Sequence, residues 1–305
     1  RANMESGFAQ FSTLHQRIGE HRTDPAKLYG WGKIDYRFQE QKGKEQFGYR
    51  QNMEAIRFGQ EVFAKETDTG GIHRLAFSAD YAYTSATFED RMRPNAGLSK
   101  KTGKLNGHDF SLGAYYTRTS DKGAYIDLVG RASYLLNRFE DVYKSDSKQR
   151  GQRIGASLEG GVPFYRSETG YLLEGQAQLS YFYTHYNRFH DSISEIGAIN
   201  AHAARGRLGV RFTKDKSPEK KVRSYALVNV LHTFTKQADV EVDNNDGTRS
   251  SFNESFANTY GEIGAGIQGY VSENAALYLD ARYQRGFGHH PYQGVAANLG
   301  LKVVY

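Results

Sequence analysis

The sequence predicts an all-β transmembrane barrel of twelve antiparallel strands, preceded by a polar helix. Three observations support this fold class: the hydrophobic period changes from helical to alternating after Pro25, aromatic residues and glycine are abundant, and the predicted connections alternate in length. No stretch of the 305 residues approaches the ~18 consecutive apolar residues of a membrane-spanning helix. A transmembrane strand needs apolar residues only at alternate positions, so a negative mean hydropathy does not exclude a barrel.

Residues 2–22 form the predicted helix. They contain no proline and few β-branched residues, and apolar residues recur at steps of three and four on an otherwise polar surface. The sequence Thr23-Asp24-Pro25 ends this pattern. We therefore expect two parts, a helix with its linker over residues 1–25 and a barrel over residues 26–305. The apolar stripe of the helix consists of Phe8, Phe11, Leu14 and Ile18.

Alternating runs follow Pro25 up to the last residue. In the third run Phe77 lies on one face and Asp80 on the other, and most runs separate apolar from charged residues in the same way. Charged residues in the middle of strands fit a wet interior, while the apolar face suits lipid. The ninth run is nearly apolar on both faces, so its register stays open. The runs cover residues 29–38, 47–63, 72–88, 108–118, 124–136, 151–161, 171–186, 202–212, 222–233, 258–270, 275–285 and 295–305.

The composition narrows the class further. The chain has 22 Tyr, 18 Phe and 33 Gly but only 5 Pro, which favours strands and provides aromatic residues for a membrane interface. It has no cysteine, which excludes disulfides, thiolate catalysis and thiolate metal sites. The net charge is +6, but Lys and Arg are scattered among acidic residues. Without a basic stripe we expect no nucleic-acid partner.

The predicted connections give independent support for a barrel. The links from odd to even strands include every link longer than ten residues, and the links from even to odd strands are all shorter. Short turns on one side and longer loops on the other are the rule for outer-membrane barrels. A soluble sandwich gives no reason for this alternation. The long links are 89–107, 137–150, 187–201 and 234–257.

The chain stops in an amphipathic strand with a terminal aromatic residue. Leu299, Leu301 and Tyr305 share one face of the final eight residues. By itself this segment also fits the last strand of a soluble sheet. A membrane barrel, however, requires a paired final strand, because the N–H and C=O groups of an open strand edge cannot form hydrogen bonds with water inside lipid. The pattern Asn298-x-Gly300-x-x-Val303-x-Tyr305 resembles the terminal motif shared by most outer-membrane barrels. This resemblance implies that Asn298, Gly300, Val303 and Tyr305 form the assembly signal.

Three segments together resemble a known family. They are the helical segment from Leu14 to Arg22, the sequence Tyr29-Gly-Trp31-Gly-Lys33 that opens the first strand, and the terminal motif. The chain resembles, over essentially its whole length, the carboxyl-terminal translocator domain of autotransporters of the type Va secretion class. The resemblance implies an outer-membrane location and a helix inside the barrel lumen. It also implies an amino-terminal passenger that is carried to the cell surface, which would account for the absence of a secretion signal at Arg1.

A helix inside a charged lumen should pair with the wall. Glu5, Arg17, Glu20 and Arg22 on the helix are the expected charged partners, together with the apolar stripe. Trp31 is expected either to pack on the helix or to anchor the barrel at the membrane interface. The predicted lumen-facing residues are Trp31, Lys33, Asp35, Arg57, Glu61, Asp127, Arg131, Arg205, Arg207, Arg211, Glu262, Asp280 and Arg282.

Two other functions compete with the translocator. A diffusion porin would need extra hairpins and no amino-terminal helix, and residues 234–257 could then fold into the pore. A barrel enzyme could use His190-Asp191 or His289-His290 in predicted external loops. No catalytic, cofactor-binding or metal-binding residue is assigned. Residues 1–25 contain no Asn-Asn pair, so we expect none of the self-cleavage that some members of the family perform.

The resemblance also implies partners. Besides the passenger, we expect the barrel-insertion machinery of the outer membrane to read the final strand, and we expect lipid or lipopolysaccharide around the barrel. We expect a monomer, no nucleic acid and no cofactor.

Overall fold

The structure is a computed structural model that describes residues 2–19, 27–42, 47–190, 194–214, 222–234, 238–244, 247–254, 258–287 and 292–305. Two short helices, α1 (Ala2–Ala9) and α2 (Leu14–Ile18), precede the strands. In chain order the described strands are β1 (Tyr29–Gln41), β2 (Phe47–Glu66), β3 (Ile72–Asp90), β4 (Lys101–Thr119), β5 (Tyr125–Asp141), β6 (Asp146–Arg166), β7 (Tyr171–Tyr186), β8 (Phe189–His190), β9 (Ser194–Ile196), β10 (Ile199–Lys214), β11 (Val222–Thr233), β12 (Ala238–Asn244), β13 (Arg249–Glu254), β14 (Asn258–Tyr270), β15 (Ala275–Gly286) and β16 (Tyr292–Val304).

Twelve of these strands close into one barrel, in the order β1-β16-β15-β14-β11-β10-β7-β6-β5-β4-β3-β2. Every neighbouring pair is antiparallel, and β1 closes on β16 with Tyr29 opposite Val304. Tyr305 continues this pairing, because its backbone exchanges two hydrogen bonds with Leu28. Closure leaves no open strand edge in the barrel. The predicted twelve-stranded fold is confirmed.

The two ends of the barrel differ. At one end, which we call the turn end, tight turns join β2 to β3, β4 to β5, β6 to β7 and β14 to β15, and the chain closes beside Tyr29. The opposite, loop end carries a 3₁₀ helix at Arg93–Ala96 and a small sheet of order β13-β12-β9-β8. The predicted alternation of connection length therefore separates the two ends, as expected for an outer-membrane barrel.

Several predicted loops are shorter than expected. Residues 137–150 were expected to form a loop, but β5 and β6 stay paired as far as Glu140 opposite Asp146. The predicted loops 187–201 and 234–257 contain the strands of the small sheet. Beyond the membrane the outward residues no longer face lipid and need not be apolar. The alternation of apolar and polar residues therefore stops before the backbone pairing of the strands does.

The faces of the strands follow the predicted alternation. Phe77 on β3 is 51% exposed, whereas Asp80 on the same strand is 7% exposed. The open register of β11 is also resolved, because Val228 and Val230 face outward while Asn229 faces the lumen. Exposed aromatic residues form two girdles. Toward the loop end these are Tyr36, Phe110, Tyr134, Tyr181 and Tyr283, and toward the turn end they are Phe58, Phe63, Tyr116, Phe164, Tyr165, Phe212 and Tyr305.

The amino-terminal segment is not one continuous helix. The prediction of a single helix over residues 2–22 was wrong in extent, because residues 10–13 break it into α1 and α2. Thr13 caps α2: its side chain accepts a hydrogen bond from the Gln16 N–H, and the Gln16 side chain accepts one from the Thr13 N–H. Gly19 caps the end of α2, and its φ of 67° suits glycine. Among the described residues no helix is long and apolar enough to cross a membrane.

Candidate functional site: the plugged lumen

Residues 2–19, which we call the plug, occupy the barrel lumen. The apolar stripe of the plug is buried, and Leu14 has no exposed surface. Phe8 packs edge-on against Phe182 with ring centroids 4.8 Å apart. Trp31 is buried in the lumen, where its ring contacts Tyr115. The cluster joins Phe8, Phe11, Leu14 and Ile18 of the plug to Trp31, Ala76, Tyr115, Tyr125, Val129, Phe182 and Ala203 of the wall.

Toward the loop end, α1 is held by an ion pair. Arg205 donates to Glu5 at 2.6 Å, and its guanidinium also lies 3.9 Å from the centre of the Phe8 ring. Such cation–π stacking is strongest where water is excluded. On the other side of α1, the Ser6 hydroxyl accepts a hydrogen bond from Gln51 at 2.8 Å and lies 3.2 Å from the Thr84 hydroxyl.

The break between the two helices is bound by two cations of the wall. Arg57 donates to the Ala9 carbonyl at 3.2 Å and to the Gln10 side chain at 2.7 Å, so it satisfies groups that the end of α1 leaves unpaired. Lys33 donates to the Ser12 hydroxyl at 2.9 Å. Asp35 accepts from both cations, at 2.5 Å from Arg57 and 3.0 Å from Lys33, and so holds them in place.

Toward the turn end, Arg17 of α2 binds the wall through a buried ion pair. Its guanidinium donates two hydrogen bonds to Asp127, at 2.9 and 2.7 Å, in the bidentate geometry that makes such pairs strong. The Tyr278 hydroxyl donates to the Arg17 carbonyl at 2.5 Å. His15 lies 3.1 Å from Glu174, and Gln16 donates to Asp280 at 3.3 Å.

The predicted lumen residues divide into two groups. Lys33, Arg57, Asp127, Arg205 and Asp280 contact the plug directly, and Asp35 acts through two of them. The others pair within the wall: Glu61 with Arg74, Arg131 with Asp80, Arg207 with Glu159, Arg211 with Thr213, and Arg282 with both Asp280 and Glu262. Of the predicted charges of the plug, Glu5 pairs with Arg205 and Arg17 with Asp127, whereas Glu20 and Arg22 lie outside the described residues.

Several wall residues that hold the plug were not among the predicted site residues. Asp109 accepts from Gln10 at 3.3 Å and from Arg153 at 2.9 Å, and Arg153 donates to the Asn3 carbonyl at 3.1 Å. Glu159 accepts from the Leu14 N–H at 3.3 Å. Each is a charged residue on an inward face, so the signal for a lumen position was present in the sequence. Which of them meets the plug depends on how the plug is rotated, and alternation does not encode that rotation.

The terminal motif contributes to the same lumen. A Cβ added to Gly300 would lie 2.0 Å from the Tyr278 ring, so only glycine leaves room for this tyrosine beneath the plug. Asn298 donates to Asp280 at 3.2 Å, and Asp280 also accepts from Gln16 of the plug. Val303 and Tyr305 instead face outward, at 39% and 60% exposure. The motif therefore has an inward half that shapes the floor of the lumen and an outward half on the lipid side.

These contacts are suited to holding a segment of chain. Charges of both signs line the wall, and buried ion pairs fix the direction and rotation of the plug because each pair accepts one partner geometry. Among the described residues, no group of three or more His, Asp or Glu side chains could hold a metal ion. Two pairs were considered for catalysis, His190-Asp191 and His289-His290, and of these residues Asp191, His289 and His290 lie outside the described residues.

Comparisons with known proteins agree with this geometry. A family model described as the autotransporter β-domain matches residues 30–282. The pertactin autotransporter of Bordetella bronchiseptica is 26% identical over 292 residues, which cover 92% of this chain and 29% of the relative. The chain thus spans less than a third of the length of the pertactin relatives that it matches.

Solved structures share the fold. The transport unit of the autotransporter AIDA-I from Escherichia coli superposes with a TM-score of 0.73 at 15% identity, covering 100% of this chain and 98% of that one. The β-domain of the Bordetella autotransporter BrkA gives a TM-score of 0.66 at 18% identity, covering 92% and 100%. The family match extends over most of the barrel, so the chain belongs to the autotransporter β-domain family and is an outer-membrane translocator barrel of type V secretion.

Proposed function

We propose that residues 26–305 anchor an exported passenger in the outer membrane and that residues 1–25 are its last, lumen-spanning segment. The direction of the plug supports this. Ala2 packs with Tyr49, Ala86 and Leu105 at the loop end, while Arg17 is bound near the turn end. The longer loops of such barrels face the outside of the cell. Any chain joined ahead of Ala2 therefore emerges on the cell surface.

The passenger enters this proposal only as a class of partner. An autotransporter β-domain implies a domain ahead of it, but nothing in residues 1–305 specifies the activity of that domain. We propose that the barrel itself performs no covalent chemistry and acts as a monomer. The network of ion pairs supports a holding role, since the lumen acids and cations pair with each other or with the plug.

Surface display tests the proposed function. A folded reporter joined ahead of Arg1, behind a secretion signal, should reach the cell surface and remain attached to the barrel. Protease added to intact cells should remove the reporter while the barrel resists. The matched control is the same reporter and signal without the barrel, which should stay protected in the periplasm. A folded barrel whose reporter stays inaccessible on intact cells would contradict the proposal.

The outward half of the terminal motif supports a role in assembly. We propose that the barrel-insertion machinery reads Tyr305, which is exposed on the lipid side next to the seam between β1 and β16. The substitution Tyr305→Asp should lower the amount of barrel in the outer membrane, because a charge on the lipid face impedes insertion. Tyr143→Asp is the control, since Tyr143 is 86% exposed at the loop end. Equal outer-membrane levels of both variants on a blot would count against this role.

A further inference from the structure

The outer wall of β4, β5 and β6 carries an excess of positive charge at the loop end. Arg138 lies directly opposite Lys148 across β5 and β6, and Leu136 lies opposite Arg150. Lys148 and Arg150 are two residues apart on one face of β6, which separates their Cα atoms by about 7 Å. All of these side chains point outward, away from the lumen.

Acidic residues offset only part of this charge. Asp146 pairs with Arg138, and Glu140 lies 3.8 Å from Lys104. On these strands, the outward face above the aromatic girdle thus carries four cations and two acids. The cations are Lys104, Arg138, Lys148 and Arg150, and the acids are Glu140 and Asp146. Within the described part of the chain, the side chains of Lys148 and Arg150 make no hydrogen bond or ion pair. They are therefore available to an anion that approaches from outside the barrel.

An apolar groove lies directly below these cations. It has an open volume of about 830 Å³, within the roughly 300–1,000 Å³ of many ligand sites. Ala79 and Ala132 form its shallow floor because their side chains are small. Its lipid-side walls are Phe110, Leu112, Tyr134, Ile154 and Tyr183.

The order of residues along β6 matches a lipid with a charged head. From the loop end downward, the outward residues are Asp146, then Lys148 and Arg150, then Gln152, then Ile154. Below Asp146, which pairs with Arg138, this sequence runs from cationic to polar to apolar, and Gln152 and Ile154 line the groove. A ligand that fits must carry negative charge at the membrane surface, polar groups below it and acyl chains deeper. A water-soluble anion would leave the groove empty, and a neutral lipid would leave the cations unpaired.

We propose that this face binds one phosphorylated, multiply acylated glycolipid of the outer leaflet, with its phosphate on Lys148 and Arg150 and an acyl chain in the groove. This chemistry is that of the lipid portion of lipopolysaccharide. The inference rests on the proposed orientation, in which the loop end faces outward. Cations at the outer-leaflet surface pair with phosphate through charge-assisted hydrogen bonds, and the apolar chain is buried against aromatic side chains.

Native mass spectrometry of the full-length barrel in detergent tests the proposal. The probe is hexa-acylated lipid A with two phosphates, compared with the same lipid after removal of its phosphates and with phosphatidylglycerol. Lipid A should bind with one high-affinity site, and the other two lipids should bind at least about tenfold more weakly, which corresponds to about 1.4 kcal/mol of binding free energy. Equal binding of dephosphorylated lipid A, or equal binding of phosphatidylglycerol, would overturn the proposal.

Two variants locate the site. Lys148→Gln with Arg150→Gln should weaken lipid A binding by about tenfold or more. The control, Arg118→Gln with Arg166→Gln, removes the same charge from outward positions at the turn end and should leave binding unchanged. Ala132→Leu fills the groove without altering charge and should also weaken binding. Unchanged binding in either test variant, or equal loss in the control, would refute the site. Because this assay uses purified barrel, a failure here leaves the display experiment to decide the proposed function separately.

Discussion

Removing the plug is expected to open the barrel to ions. Deletion of residues 2–19 takes away the side chains that fill the bore, including Phe8, Phe11, Leu14 and Arg17. A twelve-stranded barrel has room for about one helix, so conductance in a planar bilayer should rise by about tenfold or more when the helix is removed. The intact chain should pass little current, because the plug and the wall are in contact along the whole length of the segment.

The matched control for this deletion lies outside the lumen. Removing the β12–β13 hairpin over residues 238–254 deletes a segment of similar length from the loop-end sheet. This variant should conduct like the intact barrel. A large conductance in the intact protein that neither deletion changes would instead favour the diffusion porin considered from the sequence.

Replacing Arg17 with alanine is expected to loosen the turn-end half of the plug. The Arg17 and Asp127 side chains are only 4% and 1% exposed, so the substitution leaves a buried carboxylate without its cation. Breaking a buried pair in this way typically costs about 3–5 kcal/mol. Amide hydrogen exchange of α2 measures the effect, because opening of the plug exposes its backbone N–H groups while the barrel stays closed.

Two controls separate this effect from a general loss of stability. Arg138→Ala removes an arginine from an exposed pair with Asp146, and exchange of α2 should not change. The double variant Arg17→Ala with Asp127→Ala removes both charges and should recover part of the lost protection, because no unpaired carboxylate remains. Equal protection of α2 in the intact chain and in Arg17→Ala would show that this pair does not hold the plug.

The barrel could be predicted from the sequence because lipid imposes a strict rule on every strand. Residues such as Phe77 and Asp80 must face opposite sides, and the terminal motif ends on a paired strand, so alternation and strand order follow directly. The strand ends could not be predicted in the same way. Glu140 and Asp146 lie beyond the region where lipid constrains the side chains, so their pairing leaves no trace in the hydrophobic pattern.

The plug shows a second limit of prediction from the sequence. The break in the helix had a visible signal, because Thr13-x-x-Gln16 is a capping-box sequence that starts a new helix. The contacts of the plug had no such signal. Arg57 could be assigned to the lumen from its strand position, but its binding to the carbonyl of Ala9 depends on where α1 stops. Charged side chains on several strands satisfy the same pattern, and only the three-dimensional packing selects Asp127 for Arg17.

A disulfide cross-link tests most directly whether the amino-terminal segment lies inside the barrel. The Ser6 and Thr84 hydroxyl oxygens are 3.2 Å apart, and the chain contains no cysteine that could interfere. The double variant Ser6→Cys with Thr84→Cys should form an intramolecular disulfide in outer membranes under mild oxidation, read as a mobility shift that reductant reverses. Ser6→Cys with Tyr83→Cys, whose second cysteine faces lipid, should not cross-link. Two results together would contradict a plugged lumen. No disulfide would form in the double variant Ser6→Cys with Thr84→Cys, and the thiol at position 6 would react with a membrane-impermeant reagent on intact cells.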